Sequence, residues 1–351
     1  MIMRHWLGWL LTVCAVNGLP VHGDDPVTLD KSVSEASLLA DPPVADRSRV
    51  SLLGLEISGW TEVSMTAGTA DGDHRPLGFN YRSNDFLLQQ NWLRVTRQSE
   101  DGLGLHSDWI LPGADYQFTR SGGLFDDQDG RTGIDPVQFF LSKRWDEVGQ
   151  GLEVTFGRFF SPFGVESVAG PENTLVSHSY SFIYNPFTHT GSLATLQLDE
   201  NWSLRGGVVL GSDMFLDDSN HPTFLAGFHW DADDGVSSVD FLAISGNGRY
   251  DAEHDVHNPR VFDLVVTRQV STELAVTLEG LGGYETETPG VGTAHWFSGV
   301  GYLAWTPRDD LAAAVRLELF NDEHGNRTGS RGLYTAIAAG LAWQWHERLL
   351  I

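Results

Sequence analysis

From about residue 55 to the end of the chain, apolar and polar side chains alternate in segments of about ten residues. Val315, Leu317 and Leu319 fall on one face of such a segment. Arg316 and Glu318 fall on the opposite face. A period of two is that of a β-strand, so the pattern predicts an all-β chain with about fourteen strands. The predicted strands lie near 56–67, 86–97, 103–112, 137–145, 151–160, 189–198, 202–211, 222–231, 236–245, 260–269, 273–283, 295–305, 311–320 and 333–345.

The links between these segments are alternately very short and long. The predicted short turns are 98–102, 146–151, 199–201, 231–235, 270–273, 306–310 and 346–348. The long links, such as 113–136, 161–188 and 246–259, are polar and rich in glycine. Short turns at one end and long loops at the other are typical of an up-and-down transmembrane β-barrel. Alternation alone would also fit a soluble β-sandwich whose apolar face forms the core.

The positions of the aromatic residues favour the barrel over the sandwich. Six tryptophans lie within a few residues of a short turn: Trp145, Trp202, Trp230, Trp305, Trp343 and Trp345. A second group lies near the long links: Trp109, Trp296, Phe160, Tyr284 and Phe320. Two aromatic belts at opposite strand ends are typical of the membrane–water interfaces of such barrels. In the alternative interpretation these aromatic residues cap a sandwich core.

The N-terminal part has the features of an export signal. Residues 1–23 combine a basic start, a short apolar core and a small-residue cleavage site, and are predicted to be a signal peptide. Residues 24–54 are predicted to be a periplasmic linker, and 55–351 the outer-membrane β-barrel. Residues 349–351 resemble a fifteenth strand that is cut short. Either fourteen strands close with this tail as a stub, or two closing strands of a sixteen-stranded barrel are missing.

Composition narrows the class of protein further. No stretch of 18 or more apolar residues follows the N-terminus, which argues against transmembrane helices. The formal net charge of −25 argues against nucleic acid and anionic lipid as main partners. Cys14 is the only cysteine, which excludes disulfide scaffolds and thiolate metal sites. We therefore expect outer-membrane lipid to surround the protein.

Four segments together resemble the OmpL-like β-barrel porin family. They are Gln89–Leu93, Gly157–Glu166, Ser177–Gly191 and Asn201–Ser203, and the run from 157 to 191 is the most specific part. The resemblance covers most of residues 56–346 and implies an outer-membrane diffusion channel. It does not indicate a particular solute.

The link 161–188 is the longest, and by analogy with the third loop of general porins we expect it to fold into the lumen. Its Glu166, Glu172, His178 and Tyr180 would then face arginines of the wall, and the opposed charges would set selectivity. The candidate pore-lining residues are Glu62, Asp108, Arg144, Glu166, Glu172, His178, Tyr180, Arg205, Asp263, Glu279, Arg316 and Glu318. Their acidic excess predicts a weak cation preference. In the alternative interpretation this link is a surface cap.

Other site chemistries find less support in the sequence. Asp127, Asp129 and Asp135 resemble part of a calcium loop but lack its full spacing and its terminal Glu. Ser177 and His178 are too close together for the cross-strand arrangement of a barrel phospholipase. We expect no enzymatic activity and no cofactor.

The predicted function is passive diffusion of small hydrophilic solutes or ions through a water-filled channel. A homo-oligomer, a trimer by analogy with general porins, is expected. The alternatives are a structural or adhesive outer-membrane barrel without transport and a soluble secreted β-sandwich lectin or glycosidase. The last would need paired carboxylates in a groove, and no such pair stands out in the sequence.

Overall fold

A computed structural model describes residues 8–15, 50–52, 54–68, 78–122, 124, 132–216, 222–246, 257–346 and 349–351. The strands are β1 (Gly8–Ala15), β2 (Val50–Leu52), β3 (Leu55–Gly68), β4 (Asp85–Gln98), β5 (Leu103–Leu111), β6 (Asp135–Trp145), β7 (Leu152–Phe160), β8 (Thr188–Gln197), β9 (Trp202–Val209), β10 (Thr223–Asp231), β11 (Ser237–Ser245), β12 (Arg260–Gln269), β13 (Leu274–Thr288), β14 (Gly292–Arg308), β15 (Leu311–Asp322), β16 (Gly332–His346) and β17 (Leu349–Leu350). The helices are α1 (Tyr116–Thr119), α2 (Tyr180–Ile183) and a 3-10 turn at Gly170–Glu172.

The strands form one antiparallel sheet in which β3 to β16 pair in chain order. Each of these fourteen strands overlaps one of the fourteen predicted strands. The predicted all-β, up-and-down architecture is therefore confirmed. None of the helices in the described part of the chain is long and apolar enough to cross a membrane.

Three strands lie between β16 and β3 or beside β3, namely β17, β1 and β2. The predicted fifteenth strand is β17, which pairs with β16 and with β1 over two residues each. Strand β1 also pairs with β3, from Gly8 opposite Gly68 to Ala15 opposite Thr61. The predicted signal peptide includes β1, and its cleavage stays a prediction because the structure is that of the full chain. Most of the predicted linker lies outside the described residues.

At one end of the sheet the links have the short lengths that were predicted. The described links that precede β5, β7, β9, β11, β13 and β15 contain two to six residues, as predicted. The links at the other end are longer, with one exception. Strands β13 and β14 extend beyond their predicted ends and are joined by residues 289–291 alone. Their pairing continues as far as Thr288 opposite Gly292.

The distribution of side chains is the reverse of that in a soluble β-sandwich. Large apolar residues cover the outer face: Ile337 is 79% exposed, Leu341 71% and Phe156 68%. The enclosed face instead carries buried charged and polar groups, including Arg316 and Glu318. A wide apolar surface of this kind is costly in water and favourable in lipid. The arrangement therefore favours the membrane barrel.

One of the two expected aromatic belts has predicted members on the outer face, whereas two predicted members of the other belt point inward. Near the short turns, Trp202, Trp305 and Trp345 are exposed on the outer face. Near the long links, Trp296 and Phe320 are instead buried on the enclosed face. Trp296 stacks against the Arg327 guanidinium at 4.1 Å from the ring centroid. The prediction was wrong for these two residues because proximity to a link does not fix which face a side chain occupies.

Two clusters of buried apolar residues lie on the enclosed side. One includes Phe163, Tyr180 and Phe320, and the other includes Trp60, Trp92 and Val168. Each joins residues of the wall to residues of the link between β7 and β8. The interior therefore has a packed part, and that part is built around this link.

Candidate functional site

Residues 161–187, here called the inner loop, join β7 to β8 and lie against the enclosed face. The loop contains the 3-10 turn Gly170–Glu172 and helix α2. The Ser179 side chain caps α2 by accepting a hydrogen bond from the Phe182 backbone N–H at 3.0 Å. Asn173 ties the loop to itself, since its side chain binds the Ser167 backbone in both directions at 2.7 and 2.8 Å. The inner loop is thus an ordered element with its own hydrogen bonds.

Glu166 anchors the inner loop to the wall formed by β14 and β15. Its Oε1 accepts hydrogen bonds from Arg316 Nη1 and from the Tyr302 hydroxyl, each at 2.9 Å. Its Oε2 accepts from His178 Nδ1 at 2.9 Å. The backbone N–H of Ser179 donates to both carboxylate oxygens at 3.0 and 3.1 Å. A loop carboxylate therefore connects two wall strands with two other positions of the loop.

The charge state of Glu166 follows from these contacts. Burial alone would raise the pKa of Glu166, but the Arg316 guanidinium and the His178 hydrogen bond outweigh burial. The resulting pKa is about 2. The carboxyl is thus ionised at neutral pH, and the ion pair with Arg316 is present there.

Three acidic side chains of neighbouring strands also hold the inner loop. Asp263 on β12 accepts from the Gly164 backbone N–H at 2.7 Å. Glu318 on β15 accepts from the Tyr180 backbone N–H at 2.7 Å. Glu279 on β13 accepts from the Ser181 hydroxyl. The β12–β15 region therefore binds the loop mainly through wall carboxylates.

On another part of the wall, Gln90 of β4 connects the inner loop to two strands. Its Nε2 donates to the Val168 carbonyl at 2.8 Å and to Asp115 Oδ2 at 2.9 Å. Its Oε1 accepts from the Gly170 backbone N–H at 3.1 Å and from Trp60 Nε1 at 2.9 Å. All four hydrogen-bonding positions of this amide are occupied. Gln90 thus fixes the loop against β3 and β4.

Arg94 provides an ionic contact in the same region. It forms a bidentate pair with Asp108 of β5 at 2.8 and 2.7 Å. Its other terminal nitrogen lies 3.1 Å from Glu172 Oε1 of the inner loop. Bidentate guanidinium–carboxylate pairs are among the strongest and best-oriented charged contacts. They hold the 3-10 turn beside β4 and β5.

The two contact regions are far apart along the sheet. Counted one way along the sheet, six strands, β6 to β11, lie between β5 and β12; counted the other way, β16, β17, β1 and β3 lie between β15 and β4. Neighbouring strands are about 4.8 Å apart, so the two regions cannot be adjacent on the wall. The inner loop therefore runs through the interior from one part of the wall to another.

The structure brings most of the predicted pore-lining residues together, but not all. Arg316 contacts the inner loop instead of facing it across open space. Arg144 lies 2.7 Å from Asp146 of a short turn. Arg205 lies 3.2 Å from Asp240 of β11. The pore-lining role of the whole set stays a prediction.

The predicted calcium loop is only partly within the described residues. Asp127 and Asp129 lie outside them. Asp135 is buried, and its Oδ1 accepts from the Ser121 hydroxyl at 2.6 Å while its Oδ2 lies 3.8 Å from Arg158. Among the residues that the structure describes, no group of three or more His, Cys, Asp or Glu side chains could hold a metal ion.

Sequence reasoning missed several residues that hold the inner loop, among them Gln90, Arg94 and Tyr302. A register shift between Glu62 and Val63 inserts an extra residue into β4. Such a bulge interrupts the alternation, so Gln89 and Gln90 are both buried on the enclosed side. Two consecutive glutamines in a strand would have been a signal for this, since glutamine is rarely buried without a partner.

A family model described as "Putative beta-barrel porin-2, OmpL-like" matches residues 54–351. No curated protein shows a significant sequence match to the chain. Solved structures that the chain resembles include the anion-selective porin from Comamonas acidovorans, with 12% identity, a TM-score of 0.42 and coverage of 96% of this chain and 99% of that one. Salmonella typhi OmpF in complex with daunomycin shows 11% identity, a TM-score of 0.42 and coverage of 95% and 97%. Pseudomonas aeruginosa OccD3 shows 10% identity, a TM-score of 0.41 and coverage of 88% and 71%.

Proposed function

The chain belongs to the OmpL-like β-barrel porin family, and we propose that it forms a narrow outer-membrane channel for passive diffusion of small hydrophilic solutes or ions. The observation that carries the proposal is that the inner loop contacts two separate parts of the wall, β4–β5 and β12–β15. A segment held across the interior in this way reduces the open cross-section. Pore size and lining charge would then decide what passes.

The charges around the inner loop support a weak cation preference. Arg316 is shared between Glu166 at 2.9 Å and Glu318 at 3.6 Å. Arg94 is likewise shared between Asp108 and Glu172. Each of these two arginine side chains therefore has two acidic neighbours. An acidic excess attracts cations and repels anions, which would favour cation passage.

The test is the reversal potential of the folded protein in a planar bilayer with unequal potassium chloride concentrations on the two sides. A cation-preferring channel gives a reversal potential with the same sign as the equilibrium potential of potassium. An anion-preferring channel gives the opposite sign and would contradict the charge argument. As a matched variant, Arg205→Gln removes one wall cation that pairs with Asp240 and not with the inner loop, and should increase the cation preference.

A structural barrel without transport is the second candidate. It is favoured by the aromatic packing between the inner loop and the link that precedes β4. Phe79 lies 4.5 Å from His178 and 5.7 Å from Phe182 and Phe187, measured between ring centroids. Correct insertion into the bilayer without any current would support this candidate over the channel. A homotrimer in the outer membrane stays a prediction by analogy.

A further inference from the structure

The enclosed side of the sheet is closely packed near the long links. Five inward-facing residues of β8 to β12, here called the packed layer, are at most 1% exposed: His189, Val209, Thr223, Ile244 and Val261. Val209, Ile244 and Val261 belong to the same apolar cluster as Phe163 of the inner loop. The packed layer and the inner loop therefore leave little room for water in this part of the interior.

Near the short turns, in contrast, the enclosed face of β6 to β11 is polar and partly exposed. The exposed fraction of the side chain is 31% for Arg144, 22% for Arg205 and for His229, and 16% for Asp240. Leu204, which precedes Arg205, is exposed on the outer face. Because successive side chains of a strand point to opposite faces, Arg205 points to the enclosed face. Water therefore reaches these charged side chains within the interior.

The charged side chains form a belt across neighbouring strands. Glu153 of β7 lies directly opposite Arg144 of β6. Thr195 of β8 lies between Glu153 and Arg205 of β9. Arg205 Nη1 in turn lies 3.2 Å from Asp240 Oδ1 of β11. Positive and negative groups thus alternate along one side of the wall.

The inward-facing residues of β12 to β15 are buried at a similar distance from the short turns. Thr277 is 0% exposed, and its hydroxyl lies 2.9 Å from that of Thr267. Ala275, Ala304 and Ala312 are at most 2% exposed. The space for water near the short turns therefore lies beside β6 to β11 and not beside β12 to β15.

We propose that this space is a water-filled vestibule in which Arg144, Glu153, Arg205 and Asp240 determine ion selectivity, in series with the packed layer and the inner loop, which determine conductance. The assignment of selectivity rests on the proposed channel function, whereas the access of water does not. Charges that line a hydrated passage attract ions of opposite sign and repel those of the same sign. Glu153 and Asp240 therefore favour cations, and the two arginines oppose them.

The first experiment measures access to the vestibule by thiol labelling of the folded full chain in lipid vesicles. The variants carry Cys14→Ser, because Cys14 is the only cysteine. Thr195→Cys should react readily with the hydrophilic cation 2-(trimethylammonium)ethyl methanethiosulfonate. The matched controls Thr277→Cys and Thr223→Cys should react at least about tenfold more slowly, because a buried thiol reacts only when the structure opens locally. Equal rates in the three variants would overturn the vestibule.

The second experiment measures reversal potential and single-channel conductance in a planar bilayer with unequal potassium chloride concentrations. Glu153→Gln should shift the reversal potential towards anion preference, and Arg205→Gln should shift it in the opposite direction. The conductance should change by less than about twofold in both variants, since the narrowest segment is elsewhere. An unchanged reversal potential in both variants, with normal currents, would overturn the assignment of selectivity.

The two experiments separate this proposal from the proposed channel function. A complete absence of current would contradict the channel and, with it, the role of the belt in selectivity. Thiol labelling requires no current, so it would still decide whether water reaches Thr195. In an active channel, labelling of Thr195→Cys adds a positive charge to the vestibule and should shift the reversal potential towards anion preference.

Discussion

Arg316 is the residue whose removal should most clearly release the inner loop. Its side chain is 3% exposed and pairs with Glu166, whose side chain is 5% exposed. It also donates to the Ser177 carbonyl and lies 3.6 Å from Glu318. In Arg316→Met, two buried carboxylates lose their shared cation. Removing one partner of a buried ion pair costs about 3–5 kcal/mol.

Release of the inner loop would relieve this cost, since Glu166 could then reach water. An energy of about 3–5 kcal/mol corresponds to roughly two to four orders of magnitude in the equilibrium between the bound and the released loop. The inner loop contains Phe163, Tyr180, Phe182 and Tyr184, so chymotrypsin can report this equilibrium. We expect cleavage within the loop of the membrane-embedded variant to be faster by about 100-fold or more.

Two further variants distinguish charge pairing from general damage. Arg205→Met removes an arginine that pairs with Asp240, and should leave cleavage of the inner loop unchanged. Glu166→Gln combined with Arg316→Met removes both charges of the pair. In this double variant the inner loop should be released less often, and cleaved more slowly, than in Arg316→Met alone. Equal cleavage rates in Arg316→Met, Arg205→Met and the unmodified protein would refute the anchoring role of Arg316.

Three other predictions test the fold and the charge state. Gly157 has a φ of +132°, and a Cβ there would meet the backbone of the neighbouring strand. In urea titrations, Gly157→Ala should destabilise the barrel by about 1–3 kcal/mol. Gly206 has open space around it, so Gly206→Ala should not destabilise the barrel. Ile337→Arg on the outer face should lower the free energy of unfolding in lipid vesicles by about 2–4 kcal/mol. The control Glu147→Arg, in a short turn, should change it by about ±0.5 kcal/mol. Equal changes in the two variants would indicate that the outer face is in water. Because the folded-state pKa of Glu166 is lowered from 4.5 to about 2, its contribution to stability is complete above pH 4.5 and is lost as the pH falls towards 2. Single-channel conductance should therefore rise as the pH falls below 4.5, and this rise should be absent in Glu166→Gln.

Much of the fold could be predicted from the sequence because a β-strand leaves a local signal. The alternation of Val315, Arg316, Leu317 and Glu318 requires no knowledge of neighbouring strands, and the structure places Leu317 outside and Arg316 inside. The extra residue in β4 could not be seen in this way. A bulge depends on the pairing partner, here the register shift at Glu62, and not on composition.

For the candidate site, the sequence could predict which segment forms it but not which wall residues that segment contacts. The length of the link and its analogy to an inward-folding loop indicated which residues would enter the interior. The partners could not be predicted, since Glu166 and Arg316 are 150 residues apart in sequence. Arg316 was expected to face the loop across the lumen, and instead binds it. Contacts of this range depend on barrel curvature and strand stagger, which a single sequence does not display.

The central claim is that the inner loop narrows a channel. The most direct test is single-channel conductance of the unmodified protein beside a variant in which residues 165–183 are replaced by a Gly-Ser linker of equal length. This replacement removes the side-chain contacts of Glu166, Glu172 and Ser181 with the wall. The account predicts stepwise currents for both proteins and a clearly larger conductance for the variant. Equal conductance in the two proteins would contradict it, because the inner loop would then lie outside the path of the ions.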